Sequence, residues 1–279
     1  MIEEEPPWSY PGRAAELMHR CRSVLDMGTG GGERLLALRE HWPPRVVVTE
    51  DYAPNVRLAT ERLAPLGVPL IASVFGHSRA EFVEATRRIV EAGPDLIELN
   101  VSCPNVEAEF GRPFALDPAA AARATAAVRR VYGGPLLVKL SPNAPDIVDV
   151  ARAVVDAGAD GLTAVNTLGP GMVIDVRARR PVLSNLVGGV SGAALRPVAV
   201  RCVYEISRAV PVPIVGTGGV LTGEDALQMI MAGATAVGIG SALYYHGDAA
   251  FGRILGEMAV IMRQEHYESI DEIRGSAHV

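Results

Sequence analysis

Lysine is nearly missing from this 279-residue chain: of its 26 basic residues, Lys139 alone is a lysine. Cysteine is scarce as well. Cys21, Cys103 and Cys202 show no paired spacing, which speaks against a disulfide framework or a zinc site and suits a reducing cytoplasm. No metal is expected. Positive charge is in deficit, 26 basic against 32 acidic residues for a net charge of -6. The overall field therefore draws in neither nucleic acid nor an anionic membrane, and a small-molecule ligand is the expected partner. The opening residues, Met1 to Pro7, are acidic, so no signal peptide is expected. An unbroken membrane-length apolar run is lacking too. Leu227 to Tyr245 carries no charge, but Gly233, Gly238 and Gly240 interrupt it, and it reads as helix end, turn and buried strand.

What the chain does have is a strand-helix rhythm. Residues 11–22 suit a leading helix. Strands are expected at 23–28, 45–50, 69–75, 96–102, 135–141, 161–167, 212–216 and 236–240, with helices at 33–42, 54–66, 79–92, 118–131, 145–157, 196–208, 222–232 and 249–263. A loop at 104–117 with Phe110, Gly111 and Phe114 is placed to cover a ligand, and 168–192 is a long connection. No low-complexity linker divides the chain. Eight alternating units suit an α/β fold of the (β/α)8 TIM type, whose usual length is about 250 residues. Closure removes the open edges that six parallel strands would leave. The other arrangement is a truncated barrel with a small appended α/β fragment, and such a fragment has too little core to stand alone.

The stretch from Leu96 to Asn105 organises the rest. Period two sets Ile97, Leu99 and Val101 on one face and Glu98, Asn100 and Ser102 on the other, and this polar face runs into the thiol of Cys103. Pro104 holds the cysteine backbone extended. An ordinary buried cysteine is the structural alternative. In a parallel barrel, ligand-binding groups gather at the C-terminal strand ends. The next strand sets Lys139 opposite Leu136, Val138 and Leu140, and the following one ends near Asn166 and Thr167. Inward amides and a lysine are costly in a core unless hydrogen-bonded, so they suggest a polar ligand. A compact ammonium suits anionic charge on a planar ligand, with a snorkelling strand-end lysine as the alternative. Gly218 and Gly219, before a helix near Thr222, and Gly240 with Ser241 offer backbone amides for a phosphate monoester.

Residues 68–279 resemble the flavin barrel of the dihydroorotate dehydrogenases, in the soluble class that uses cysteine as base. The likeness is carried by Glu98-Leu-Asn-Val-Ser-Cys-Pro-Asn105, Val138-Lys-Leu-Ser-Pro142, Val165-Asn-Thr167, Gly188-Gly-Val-Ser-Gly192, Gly216-Thr-Gly-Gly219 and Gly238-Ile-Gly-Ser-Ala242. It implies FMN as cofactor and dihydroorotate as substrate, in pyrimidine biosynthesis. Cys103 would take the C5 proton, and Asn100, Asn105, Asn166 and Thr167 would hold the pyrimidine, with Asn100 and Asn166 also near the flavin. Lys139 would face the flavin N1/O2 edge. Ser191, Gly192, Gly218, Gly219, Gly240 and Ser241 would line the phosphate end. A homodimer and an electron-transfer subunit are implied partners, while the final acceptor (fumarate, NAD through a partner, or quinone) stays open.

Residues 1–67 instead resemble the start of an S-adenosylmethionine methyltransferase. Asp26-Met-Gly28-Thr-Gly30-Gly-Gly32 looks like its glycine loop and Glu50 stands where its ribose-binding acid would be. The substrate loops of a methyltransferase do not follow, so the segment is expected to complete the barrel as two atypical units. The family's own first units carry another lysine at the flavin, and no lysine occurs in residues 1–67. Dihydroorotate oxidation impaired by these replaced units is the first expectation, a flavin-binding barrel with little or no turnover the second, and a methyltransferase the third.

Overall fold

The computed structural model describes residues 24–27, 47–50, 61, 65, 69–102 and 114–279. The glycine turn at 28–32, the expected helices at 11–22 and 33–42, and both Cys103 and Asn105 lie outside them. The strands in chain order are β1 (Val24–Met27), β2 (Val47–Glu50), β3 (Leu70–Val74), β4 (Leu96–Asn100), β5 (Leu136–Leu140), β6 (Gly161–Ala164), β7 (Leu168–Gly171), β8 (Ile174–Asp175), β9 (Arg180–Pro181), β10 (Gly188–Val190), β11 (Ile214–Thr217) and β12 (Ala236–Ile239). Eight of these form a closed parallel barrel in the order β1-β12-β11-β6-β5-β4-β3-β2. The ring is joined by Leu25 opposite Val47 on one side of β1 and Val24 opposite Gly238 on the other.

The helices are α1 (Arg79–Val90), α2 (Pro118–Arg129), α3 (Ile147–Asp156), α4 (Arg196–Ala209), α5 (Gly223–Met231), α6 (Ser241–His246), α7 (Ala249–Gln264) and α8 (Ile270–Ile273). Their starts are written in the sequence. Ser78, Asp117 and Asp146 accept first-turn N–H groups through their side chains, and Pro118 sits at the first helical turn of α2. Such caps contribute about 1 kcal/mol each.

Strand residues alternate between two environments. The outward set, including Leu70, Ala72, Ile97, Leu99, Leu136 and Val138, joins the helices in one apolar shell. Ala120, Ala121 and Ala124 on α2 belong to the same shell, and small side chains there let helix and sheet approach closely. The inward set is different. In register across the sheet stand Ser73 with Glu98, Asn100 with Lys139, and Lys139 with Thr163. Residues level with each other on parallel neighbours share a face, so period two alone lines the lumen with polar groups.

At the N-terminal strand ends the polar groups serve the backbone. Arg129 donates to Gly158 O at 2.9 Å, Gly134 O at 2.8 Å and Tyr132 O at 3.1 Å, and its other arm meets Asp160 Oδ2 at 2.6 Å. That carboxylate oxygen also accepts from Leu136 N at 2.8 Å. Burial raises the Asp160 pKa above the ordinary carboxylate range, against the pull of the Leu136 N–H and the Arg129 charge. Asp95 similarly accepts from Leu70 N at 2.8 Å.

Several sequence expectations need correction. Strand β6 ends at Ala164 rather than at 167, leaving Asn166 and Thr167 in the segment beyond it. The long connection contains two small antiparallel sheets, β7 with β10 and β8 with β9, because Gly171 and Gly188 let the two legs pair at close quarters. Of the loop expected at 104–117, Phe114 lies within the described residues. It is buried in a short 3-10 turn, edge-on to Phe82 with ring centroids 5.4 Å apart.

Candidate active site

The site is built where β4, β5 and β6 end. Asn100 closes β4, and its Oδ1 accepts from Ser102 N at 3.2 Å and Ser102 Oγ at 2.8 Å. Asn166 reaches the same place from beyond β6. Its Nδ2 donates to Ser102 Oγ at 2.9 Å and lies 3.4 Å from Asn100 Oδ1, while its Oδ1 accepts from Thr167 N at 2.7 Å. Two amides and a hydroxyl therefore form one cluster, and the residue after Ser102 in the chain is Cys103. Asn100 and Ser102 are buried and Asn166 is half-buried, so the cluster is a polar floor opening toward the rim.

Beneath it lies a second polar layer. Lys139 is buried, with Nζ 3.7 Å from Glu98 Oε1. Glu98 accepts from Ser73 Oγ at 2.8 Å through Oε1 and from Thr163 Oγ1 at 2.6 Å through Oε2. The contact from β4 to β6 passes over β5 and is possible only across the barrel lumen. Sequence reasoning placed Glu98 on the polar face but gave it, with Ser73, Ser102 and Thr163, no part in the site. The available signal was the register that aligns period-two faces of adjacent strands.

The glycine turns after β10, β11 and β12 meet at one side of the rim. Gly192, Gly218 and Gly219 have φ of +76°, +128° and +75°, backbone that side-chain-bearing residues rarely adopt. A Cβ on Gly219 would stand 2.6 Å from Gly192 O, one on Gly192 would be 4.0 Å from Ser241 Oγ, and one on Gly240 would meet nothing within 4 Å. The turns thus touch each other around a space that opens at Gly240. Ser191 stands exposed just before Gly192.

The helix near Thr222 is α5, and its first-turn amides are engaged within the chain. Leu221 N and Thr222 N donate to Asp225 Oδ2 at 2.9 and 3.0 Å, Asp225 N to Thr222 Oγ1 at 3.2 Å, and Gly223 N to Glu257 Oε2 at 2.7 Å. With these donors occupied, the start of α5 offers little to an anion. Donors for a phosphate would come from the glycine turns instead.

Thr167 follows Asn166 and packs against the long connection. Its hydroxyl lies against the foot of the β7–β10 arm, where a Cβ on Gly189 would fall 2.1 Å from Oγ1. The arm is fixed there also by Asn143, whose Oδ1 accepts from Gly169 N at 3.0 Å. The remaining described cysteine, Cys202, is buried in α4, and burial pushes its thiol up to about 11. It is no candidate nucleophile. A cavity of about 420 Å³ lies on the outer wall, lined by residues such as Ile239, Phe251, Met258 and Met262, and shares no residue with the rim. Among the described residues no group of His, Cys, Asp and Glu is placed to hold a metal ion, and no helix is long and apolar enough to cross a membrane.

Comparison with known proteins adds an independent line. A family model for dihydroorotate dehydrogenase matches residues 47–262. The chain is 46% identical over 211 residues to the catalytic subunit of dihydroorotate dehydrogenase B (NAD(+)) of Methanothermobacter thermautotrophicus, covering 76% of this chain and 69% of that protein. The proteins of the same name are 45% identical over 206 residues in Alkaliphilus oremlandii (74% and 67% covered) and 38% identical over 229 residues in Methanocaldococcus jannaschii (82% and 74% covered). The family match begins at β2, inside the stretch of residues 1–67 that was grouped with the methyltransferases.

Proposed function

The chain belongs to the dihydroorotate dehydrogenase family, and from that premise we propose that it oxidises dihydroorotate to orotate in pyrimidine biosynthesis with FMN as cofactor. The observation that carries this reading is the cluster of Asn100, Ser102 and Asn166 above Lys139, one residue before Cys103. The donor set fits FMN. Amides and an ammonium suit a planar, anion-forming ring, and the glycine turns leave room at Gly240 that a side chain elsewhere would fill. Bound there, FMN supplies the two-electron acceptor for the hydride that leaves C6.

The chain's own residues do the rest. Cys103 takes the proton from C5 through its thiolate, with Pro104 limiting its backbone. Asn100, Asn105 and Asn166 hold the pyrimidine by amide hydrogen bonds, and Thr167 closes the same wall through its N–H to Asn166. Asn100 and Asn166 also border the flavin. Lys139 would face the flavin's N1/O2 edge, where its ammonium would offset negative charge. The amides of Gly192, Gly218, Gly219, Gly240 and Ser241, with Ser191 at the margin, hold the phosphate. Residues 1–67 supply the first two units of the barrel, and without a lysine there turnover is lower than in relatives that carry one.

Two partners follow from the same reading. The relatives are named as catalytic subunits acting with NAD(+), so an electron-transfer subunit is the proposed acceptor, in the cytoplasm. A homodimer is proposed through the β7–β10 arm, where Met172, Val173, Ile174, Val176 and Leu186 are exposed; an apolar patch of this kind marks association surfaces. The test of the activity is anaerobic mixing of the FMN-loaded chain with dihydroorotate. The flavin absorbance should bleach with formation of orotate, and an unchanged spectrum would refute the assignment.

A further inference from the structure

Lys139 and Glu98 are buried together with side chains 5% and 3% exposed, and their charged atoms are 3.7 Å apart. A lone ammonium in such a place would lose its proton, since burial lowers a lysine pKa by up to about 3–5 units. The carboxylate is equally well prepared. Ser73 Oγ and Thr163 Oγ1 both donate to it, one to each oxygen, and together they hold it in one orientation beside Lys139. We infer that Glu98 is a positioning residue that keeps Lys139 charged and fixed beneath the amide cluster, so that the cation is in place before any ligand arrives. This rests on the flavin reading for its purpose, though not for its test.

Among the described residues, the other charged groups near this pair are few. Strands β6, β11 and β12 carry none within their spans, and β5 carries Lys139 itself. Asp160 and Asp225, the remaining buried carboxylates among the described residues, are tied to Arg129 and to Arg196. Strand β2 sets Glu50 in register with Ser73, and β1 carries Asp26 level with Val48. Cys103 follows Ser102 beyond β4. The comparison variants are therefore Glu50→Gln and Asp26→Asn.

A chain with one lysine makes the measurement direct. The full-length protein labelled with carbon-13 lysine gives one side-chain signal, to be titrated by NMR from pH 6 to 11. In the unaltered protein Lys139 should remain an ammonium to above pH 10. In Glu98→Gln its titration should move down by about 2 units or more, while Glu50→Gln and Asp26→Asn leave it in place. Should Glu98→Gln not fold, Thr163→Val takes its place with a smaller shift of the same sign. A Lys139 titration unchanged in these variants, or moved by Glu50→Gln as far as by Glu98→Gln, overturns the inference. On FMN-loaded protein the reduction potential of the flavin should gain a pH inflection in Glu98→Gln at the pH where the lysine titrates. Failure to take up FMN would count against the cofactor reading, and the lysine titration would still decide the role of Glu98.

Discussion

The two ends of the barrel are both polar and both buried, yet their hydrogen bonds go to different places. At the N-terminal strand ends Arg129 holds three carbonyl groups and Asp160, and Asp95 and Asp160 each accept a strand N–H. At the C-terminal ends Asn100, Ser102 and Asn166 bond to one another as well as to the N–H groups of Ser102 and Thr167 in the loops. A side chain satisfied by backbone is part of the frame. Side chains that bond in part to one another can exchange those partners when a ligand with matching donors and acceptors displaces one of them, at a cost of about 1 kcal/mol per neutral bond traded. The N-terminal end is thus built as frame, and the C-terminal end is the one proposed for binding.

Breaking the working end should have the largest effect. Cys103→Ala should keep flavin binding and slow reduction by dihydroorotate about 10² to 10⁴-fold, the worth of a positioned base, as read by anaerobic stopped-flow absorbance. Unchanged kinetics would remove Cys103 from the chemistry. Breaking the frame should act on folding alone. Arg129→Met leaves Asp160 buried without its cation, a loss of about 3 kcal/mol, or roughly 6–12 °C in Tm by calorimetry. The kcat/KM of the folded protein should not change, and a large fall in activity at unchanged Tm would blur the division between the two ends.

The smallest effect sharpens the same division at α5. Arg253 and the Gly223 N–H hold the Glu257 carboxyl below its ordinary range. A folded-state pKa below the unfolded one means that the unfolded chain binds more protons in between. This contribution is therefore present above about pH 4.5 and is lost as pH falls through the folded value. Glu257→Gln should flatten the acid limb of a Tm-against-pH curve by under about 0.5 kcal/mol, the range of a solvent-screened pair, and leave flavin affinity unaltered. Weakened flavin binding in this variant would mean that the α5 turn contacts the cofactor after all.

Much of this was legible because period two and strand-helix alternation are local. The faces of Leu96 to Ser102, the inward Lys139 and the glycine turns needed nothing from distant parts of the chain. Register and long-range partners were not local. Glu98 finds Thr163 65 residues away and Arg129 finds Asp160 31 residues away, and neither pairing leaves a mark in the sequence between. The capping box of Thr222 and Asp225 was readable by spacing, but the bond from the Gly223 N–H to Glu257 on α7 was not. Asn166 was assigned to a strand and belongs just past one, since regular pairing of β6 with β11 stops at Ala164 opposite Gly216.

The foot of the β7–β10 arm separates two parts of the molecule that can vary on different terms. Leu168 faces Val190 and Gly171 faces Gly188, while Asn143 and Thr167 grip the same foot from the barrel side. Whatever happens farther out, around Ile174 and Arg180, is insulated from the barrel by this clasp. Changes of sequence or length at the tip are free to alter which surface the protein prefers to meet, without shifting the register of a single barrel strand. The arm is in that sense an exchangeable fitting on a fixed frame.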